Sequence, residues 1–252
     1  MAAPPANFGH LELLALTGRT RAHVQDCADP PCTLHPAALE ALLALRAAAA
    51  RAGLDLTPVS SFRSFEQQLG IWNAKYHGQR PLLDRDAQPL VAAELDEASR
   101  VAAILTWSAL PGASRHHWGT EIDVIDRAAL AEGERTHLMP ADYAADGRFA
   151  ALGAWLQEHA ADHGFYWPYD RDRGGVQPEP WHLSFAPLAA PALADLTIDV
   201  LANALAAAPG LAGRATICTR LPELYERHVR AVAPPPLRAL AAPALNRASR
   251  PS

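Results

Sequence analysis

Apolar residues recur at helical spacing in three long segments, with short strand-like runs between them. Residues 36–52 predict a helix with Pro36 in its first turn, Leu39, Leu42 and Leu43 on the inner stripe, and Gly53 as its stop. Residues 96–110 predict a second, with Val101, Ile104 and Leu105 inward. Residues 148–163 predict a third, with Phe149, Leu152 and Leu156 inward and Gly164 as the stop. Ser64 with Gln67 forms a capping box, so a helix is expected to about Tyr76. Residues 54–62, 122–125, 165–169 and 183–185 read as short strands. The 78–89, 127–147 and 170–178 stretches are polar and turn-rich and read as loops, the last of them charged and able to flank a cleft. Residues 1–35 read as an irregular arm with one apolar segment over 11–16. After Phe185 the composition turns to Ala, Leu and Pro, with helices expected over 196–208 and 221–232. Residues 233–252 carry a triple proline and are expected to form a disordered tail. Helix and strand do not alternate regularly enough for a doubly wound sheet.

The candidate chemistry gathers in residues 114–123, SRHHWGTEID. A turn signal, Pro111-Gly112, precedes them and a short apolar run follows. A loop folding back at Gly119 and entering a strand brings His116 near Asp123. In that strand Asp123 points opposite to Ile122 and Val124. A carboxylate set among aliphatic residues needs a partner, and a divalent metal is one. A third ligand is offered downstream by His182, in E-P-W-H at 179–182. Two histidines and one aspartate leave a fourth tetrahedral position open, the pattern of a catalytic zinc. Glu179 is then the expected general base. It precedes a proline, which predicts an extended stretch with Glu179 and His182 on opposite sides.

These residues resemble a known family. S-x-H-x-x-G-x-x-x-D followed by E-x-W-H is similar to the zinc D-alanyl-D-alanine carboxypeptidases of the VanY type, relatives of lysostaphin and the hedgehog amino-terminal domain. SSFRSFEQQ, residues 60–68, is similar to the family's S-G-Y-R-S-x-x-x-Q. The three blocks occur in the family's order. Ser61 replaces the usual Gly, Phe62 the usual Tyr, and Glu121 stands where a small residue such as Ala is usual. The resemblance implies an α+β fold, a small mostly antiparallel sheet carrying the zinc site and surrounded by helices. The resemblance covers roughly residues 54–185, and a zinc peptidase domain is expected over 36–190, with the helices of 191–232 packed on it. The resemblance also implies removal of terminal D-alanine, DD- or LD-specific, from a peptidoglycan stem peptide or muropeptide. His116, Asp123 and His182 are the metal ligands on this reading, with Glu179 and Arg63 catalytic and Arg63, Gln68 and Ser114 on the substrate. Arg63 precedes a helix start, where an anion is favoured, and is expected to bind a substrate carboxylate or to hold the oxyanion. A cell-wall endopeptidase and a non-catalytic zinc-retaining module are the alternatives, and Glu179 argues against the second.

Composition changes the picture little. The 252 residues are 50% hydrophobic and carry a net charge of −5 without a basic block, which argues against nucleic acid as a partner. No apolar run reaches the length of a membrane span. The first ten residues lack the basic and apolar regions of a signal peptide, so a cytoplasmic chain is expected, with the periplasm the alternative if a leader precedes it. Cys27, Cys32 and Cys218 are expected as free thiols. His117 is expected to point away from the metal, Trp181 to pack beside His182, and His159 and His163 to be ordinary helix histidines.

Overall fold

The computed structural model describes residues 10–135 and 137–241. A short helix α1 (Leu13–Leu16) opens the described chain, followed by a hairpin of β1 (Gln25–Ala28) and β2 (Pro31–Leu34). The arm expected to be irregular over 1–35 is therefore partly ordered. Its pairing sets Cys27 directly opposite Cys32, both as free thiols. Local propensity was silent there because the hairpin is held from outside: Phe62 N–H donates to Thr33 O, and Thr33 N–H donates to Ser61 Oγ.

Helix α2 (Pro36–Arg51) follows its expected bounds, with Nδ1 of His35 accepting from Ala37 N–H at the start. Leu39, Leu42 and Leu45 are buried, while Leu43 is 41% exposed. The inward stripe thus runs at steps of three, and Leu43 lies off it. Strand β3 (Leu56–Ser60) leads into α3 (Phe65–Tyr76), whose capping box of Ser64 and Gln67 is formed in both directions. A two-residue hairpin, β4 (Leu82–Leu83) with β5 (Pro89–Leu90), interrupts the expected surface excursion. Helix α4 (Glu97–Trp107) is capped by Asp96, which accepts from Ser99 N–H. The central strand β6 (Glu121–Asp126), helix α5 (Ala150–His159), and strands β7 (Phe165–Tyr166) and β8 (His182–Phe185) complete the sheet layer. The remaining helices are α6 (Ala186–Asp195), α7 (Ile198–Ala206), α8 (Arg214–Thr219), α9 (Leu221–Tyr225) and α10 (Leu237–Leu240).

The fold is α+β. Its main sheet has the order β3-β6-β8-β7, antiparallel throughout. Pro58 sits in β3, an edge strand of this sheet, where a residue lacking N–H is tolerated. A register shift between Pro58 and Ser60 then sets Ser60 opposite Asp123. On the other side of β6, Asp123 pairs with His182 and Glu121 with Ser184. All residues of β6 and β8 are buried, yet they alternate in character. Ile122, Val124, Leu183 and Phe185 join one apolar cluster with Leu42 and Leu45 of α2 and Leu152 and Leu156 of α5. By the period of two, Glu121, Asp123, His182 and Ser184 share the opposite face. A second cluster, built around Trp72, Trp118, Ile104, Leu105, Leu201 and Leu224, joins α3, α4 and the carboxy-terminal helices.

Two carboxy-terminal expectations are corrected. The segment directly after Phe185 is already helical, because the apolar face of Leu188, Ala189 and Ala192 outweighs the internal Pro191. The tail expected to be disordered over 233–252 includes α10, in which Ala239 is fully buried and packs beside Tyr166 and Ala186. Residues 242–252 of that expectation lie outside the described residues. No single helix among the described residues is long and apolar enough to cross a membrane.

Gly119 ends the short turn Arg115–Trp118 in the left-handed region, at φ 67°. A Cβ there would lie 2.3 Å from Val24 Cγ1 and 2.9 Å from His35 N. The glycine links the His116 turn to the Asp123 strand, so its replacement disturbs both. Gly119→Ala is expected to cost about 2–5 kcal/mol, from left-handed backbone and overpacking together. A chemical denaturation midpoint unchanged from the parent would contradict this.

Candidate metal and active site

The polar face of β6 and β8 forms the floor of the site. His116 arrives on the turn before β6, and its Nδ1–H donates to Ser61 O at 2.7 Å, which leaves Nε2 facing Asp123 Oδ2 at 3.5 Å. His182 Nδ1 lies 3.0 Å from Asp123 Oδ1, and its Nε2–H donates to Glu121 Oε2 at 2.7 Å. The ligand atoms of His116, Asp123 and His182 all lie within 4.8 Å of one another. Donors around a tetrahedral ion at bonds of 2.0–2.1 Å stand about 3.3 Å apart, so two nitrogens and a carboxylate at these spacings fit zinc without rearrangement of the strands. Among the described residues this is the one such group.

The electrostatics of the group favour a cation between its members. Burial alone would raise Asp123, but His116 and His182 hold it down at about 2. Burial pulls His116 down to about 3, a neutral imidazole ready to ligate. Burial would lower His182 too, but its hydrogen bonds to Asp123 and Glu121 outweigh that and lift it to about 10. Metal binding at Nδ1 requires that nitrogen unprotonated, so it would be coupled to proton release.

Glu121 explains how His182 is held. Its Oε1 accepts from Thr120 Oγ1 at 2.9 Å and Ser184 Oγ at 2.8 Å, and its Oε2 accepts from His182. Arg115 Nε lies 3.4 Å from the same Oε2, and Arg115 Nη2 donates to Ser184 Oγ and Tyr166 OH at 2.7 and 3.0 Å. Burial raises Glu121, but Arg115 first and His182 next bring it down to about 2. A carboxylate behind a ligating histidine fixes its tautomer. The departure at this position therefore leaves the ligand face open, because Glu121 stands behind His182. Sequence reasoning passed over Glu121 and Arg115 as a pair. The available signal was a buried acid two residues before Asp123, with an arginine six residues before it on the turn.

Glu179 stands at the mouth. Its Oε2 is 3.5 Å from His182 Nδ1, outside the three-ligand group. The expectation that Pro180 keeps this stretch extended is corrected: His182 N–H donates to Glu179 O at 3.1 Å, a turn that brings both side chains to the same side. Proline at the second position of a tight turn is a common alternative to extension. Burial raises the Glu179 carboxyl to about 7 against the pull of His182.

A cavity of about 930 Å³ opens over this group, lined by Arg63, Ser114, His116, Asp123, Glu179 and His182 among others. Arg63 Nη1 donates to Gln68 Oε1 at 2.8 Å and Nη2 to Ser60 Oγ at 3.2 Å. Gln68 was expected on the substrate. Instead it is fully buried, with Oε1 on Arg63 and Nε2 donating to Ala109 O at 2.8 Å, and it does not line the cavity. It positions Arg63. Ser114, expected on the substrate, lines the cavity. His117 is turned away, its Nδ1–H donating to Arg63 O and its Nε2 accepting from Gly112 N–H. Trp181 is buried and stacks on Trp107 with ring centroids 6.5 Å apart, forming a wall.

Glu121→Gln is expected to leave the Arg115 charge buried without its partner, at a cost of roughly 3–5 kcal/mol. It should also weaken zinc binding by roughly 10- to 100-fold. Thermal unfolding and chelator competition read the two effects separately, and an unchanged zinc affinity would remove Glu121 from the metal site.

The chain is similar to known proteins of one family. The family model described as "VanY: D-alanyl-D-alanine carboxypeptidase" matches residues 31–188. An uncharacterized protein of Haemophilus influenzae is 40% identical over 98 residues, 38% of this chain and 67% of that protein. Among solved structures, VanYB in complex with D-alanine-D-alanine is 20% identical, covering 74% of this chain and 83% of that one, with a TM-score of 0.47. A vancomycin-resistance D,D-pentapeptidase VanY from a VanB-type cassette, in complex with Zn(II), is 23% identical over 67% of this chain and 80% of that one, with a TM-score of 0.46. The family match spans all three sequence blocks and the whole metal group, and the chain therefore belongs to the VanY family of D-alanyl-D-alanine carboxypeptidases, as a zinc metallopeptidase of that type.

Proposed function

We propose that the protein removes the terminal D-alanine from peptidoglycan stem peptides, using a zinc held by His116, Asp123 and His182. Family membership makes the chain a peptidoglycan carboxypeptidase or peptidase. The observation that carries the finer reading is Glu179, a carboxylate beside the ligand group but outside it. A purely structural metal site has no use for such a group.

Bound zinc would polarise the scissile carbonyl and acidify a water, bringing its pKa to about 7. Glu179 takes the proton from the attacking water and passes it to the leaving amine. Burial sets its carboxyl at about 7, near the pH at which a group both accepts and releases a proton efficiently. Arg63 presents a positive charge to an anionic oxygen of the substrate, held in place by Gln68 and Ser60. Ser114 offers a hydroxyl from the cavity wall. Trp107 and Trp181 form an apolar wall that limits water around the reacting bond.

Mass spectrometry of muropeptides incubated with the zinc-loaded protein, with and without chelator, tests the reaction. The expected product has lost one terminal D-alanine, and only without chelator. Cleavage within a cross-link would replace the reading with an endopeptidase, and no cleavage would leave a binding module.

Two sets of variants test the assignments. His116→Ala and His182→Ala should each lose most of their zinc by metal analysis. Full occupancy in both would sink the ligand set. Glu179→Gln should keep close to one zinc per chain while kcat falls by at least about 100-fold, the lower end of general acid–base contributions. Loss of zinc would make Glu179 a ligand, and near-normal turnover would place the base elsewhere.

A further inference from the structure

The cavity holds more positive charge than one arginine. Besides Arg63, it is lined by Lys75, Arg80 and Arg115, the last paired with Glu121 behind His182, and the acids among its described lining residues are Asp123 and Glu179. Among the described residues, neither Arg63 nor Lys75 has a carboxylate within ion-pair distance. Arg63 is held by the neutral oxygens of Gln68 and Ser60, and Lys75 Nζ donates to Ser108 Oγ at 2.8 Å. Burial draws the Lys75 ammonium down to about 8 despite the attraction of Glu179. A cation sunk into a cavity without a counter-charge is costly unless an anion joins it. The whole chain is acidic, at −5, so this local excess of positive charge is not a property of the surface at large.

The two cations sit at different depths. The Arg63 guanidinium is bonded to Ser60, the strand partner of Asp123, and its backbone N–H donates to His116 O. It belongs beside the metal group. Lys75 lies seven residues after Gln68 on α3, about two helical turns further on and on the same face. Its partner Ser108 adjoins Ala109, whose carbonyl accepts from Gln68. Both cations feel Glu179 and Arg80; Arg63 also feels Asp123, which Lys75 does not. Arg80, at the exposed end of the same wall, makes no side-chain hydrogen bond or ion pair among the described residues.

We propose that Lys75, with Arg80 outside it, forms the subsite for the terminal carboxylate of the substrate, leaving Arg63 to the scissile carbonyl oxygen. The inference rests on the carboxypeptidase reading above. A carboxypeptidase substrate presents two oxygen centres to the enzyme, the scissile carbonyl and the free carboxylate, about one residue span or roughly 3.3–3.6 Å apart along the chain. Two cations lining one cavity, Arg63 beside the metal group and Lys75 further along α3, offer a positive charge to each of the two. They also remove the competition between two tasks that a single Arg63 would face. Lysine suits the outer position, since a flexible ammonium follows a carboxylate as a point charge, while the planar, braced fork of Arg63 suits a fixed oxygen.

The test is steady-state kinetics of the zinc-loaded protein on a stem peptide ending in D-alanyl-D-alanine and on its carboxy-terminal amide. The parent should prefer the free acid. Lys75→Met keeps the length of the side chain and should lower kcat/KM on the free acid by roughly 10- to 100-fold, the range for a hydrogen bond to a charged group, mostly through KM. Its effect on the amide should be small, and Lys75→Arg should recover part of the loss. Arg63→Lys should lower both substrates alike. Arg80→Ala, at an exposed position that does not support the fold, should lower the free acid by a few-fold at most. Zinc content and melting temperature, measured alongside, confirm that each variant is folded and loaded. Equal loss on acid and amide for Lys75→Met, or no loss on either, would overturn the subsite. A parent that does not distinguish acid from amide would overturn the carboxypeptidase reading itself, before any variant is considered.

Discussion

The structure depends on one row of paired residues across three strands. Ser60, Asp123 and His182 lie opposite one another on β3, β6 and β8. Because side chains alternate with a period of two, this register also decides everything that faces the other way. A slip of one residue would turn Asp123 and His182 into the cluster of Leu42, Leu45 and Leu152, and Ile122 and Leu183 into the cavity. The shift between Pro58 and Ser60 matters for the same reason, since it brings Ser60 opposite Asp123 and lets its hydroxyl hold Arg63.

A sheet buried on both faces is an unusual place for charge. Here the cost is offset by the partners gathered on the Glu121 carboxylate, although Arg115 Nη1 is buried without a hydrogen-bond partner among the described residues. The Glu121 carboxylate receives Thr120, Ser184 and His182 and lies beside the Arg115 guanidinium, which in turn packs over the Trp118 ring at 4.7 Å. Hydrogen bonds to both oxygens of a buried carboxylate fix its geometry as well as satisfying it. The network thus gives His182 one orientation before any ion arrives, with Nδ1 towards Asp123 and Nε2 towards Glu121. Preorganisation of this kind lowers the reorganisation needed on metal binding.

The site also draws on parts of the chain far from its motifs. The hairpin of residues 25–34 braces the Ser61–Phe62 segment. Gly18 passes so close to His117 that a Cβ would lie 2.4 Å from its Nδ1, and Gly18 O accepts from Phe65 N–H at the start of α3. The amino-terminal arm is therefore a clamp on the turn that carries His116 and on the helix that carries Gln68 and Lys75. Two hydrophobic clusters hold the layers on either side, one behind the sheet and one beneath the helical wall of the cavity.

Much of this was legible in the sequence because local patterns carried it. The helices at 36, 65 and 97 have caps or an initial proline visible in the sequence, the one at 150 has a visible apolar stripe, and the candidate metal ligands stand in short motifs whose residue types have few other uses. The α+β class followed from the family resemblance and from the irregular order of strands and helices. What the sequence could not decide were contacts made only through space. Whether Gln68 touches substrate or braces Arg63 depends on how deeply α3 is buried against Ala109. Whether Pro180 continues a strand or makes a turn depends on the closure of Glu179 over His182, since proline is compatible with both. The role of Glu121 depends on a register that pairs it with Ser184, and the ordering of α10 depends on the pocket around Tyr166 and Ala186 that receives Ala239. Residue type and local spacing determined which groups were available for chemistry. Packing decided which of them face the metal, which stand behind it, and which merely hold the others in place, because those roles are set by neighbours tens of residues away along the chain.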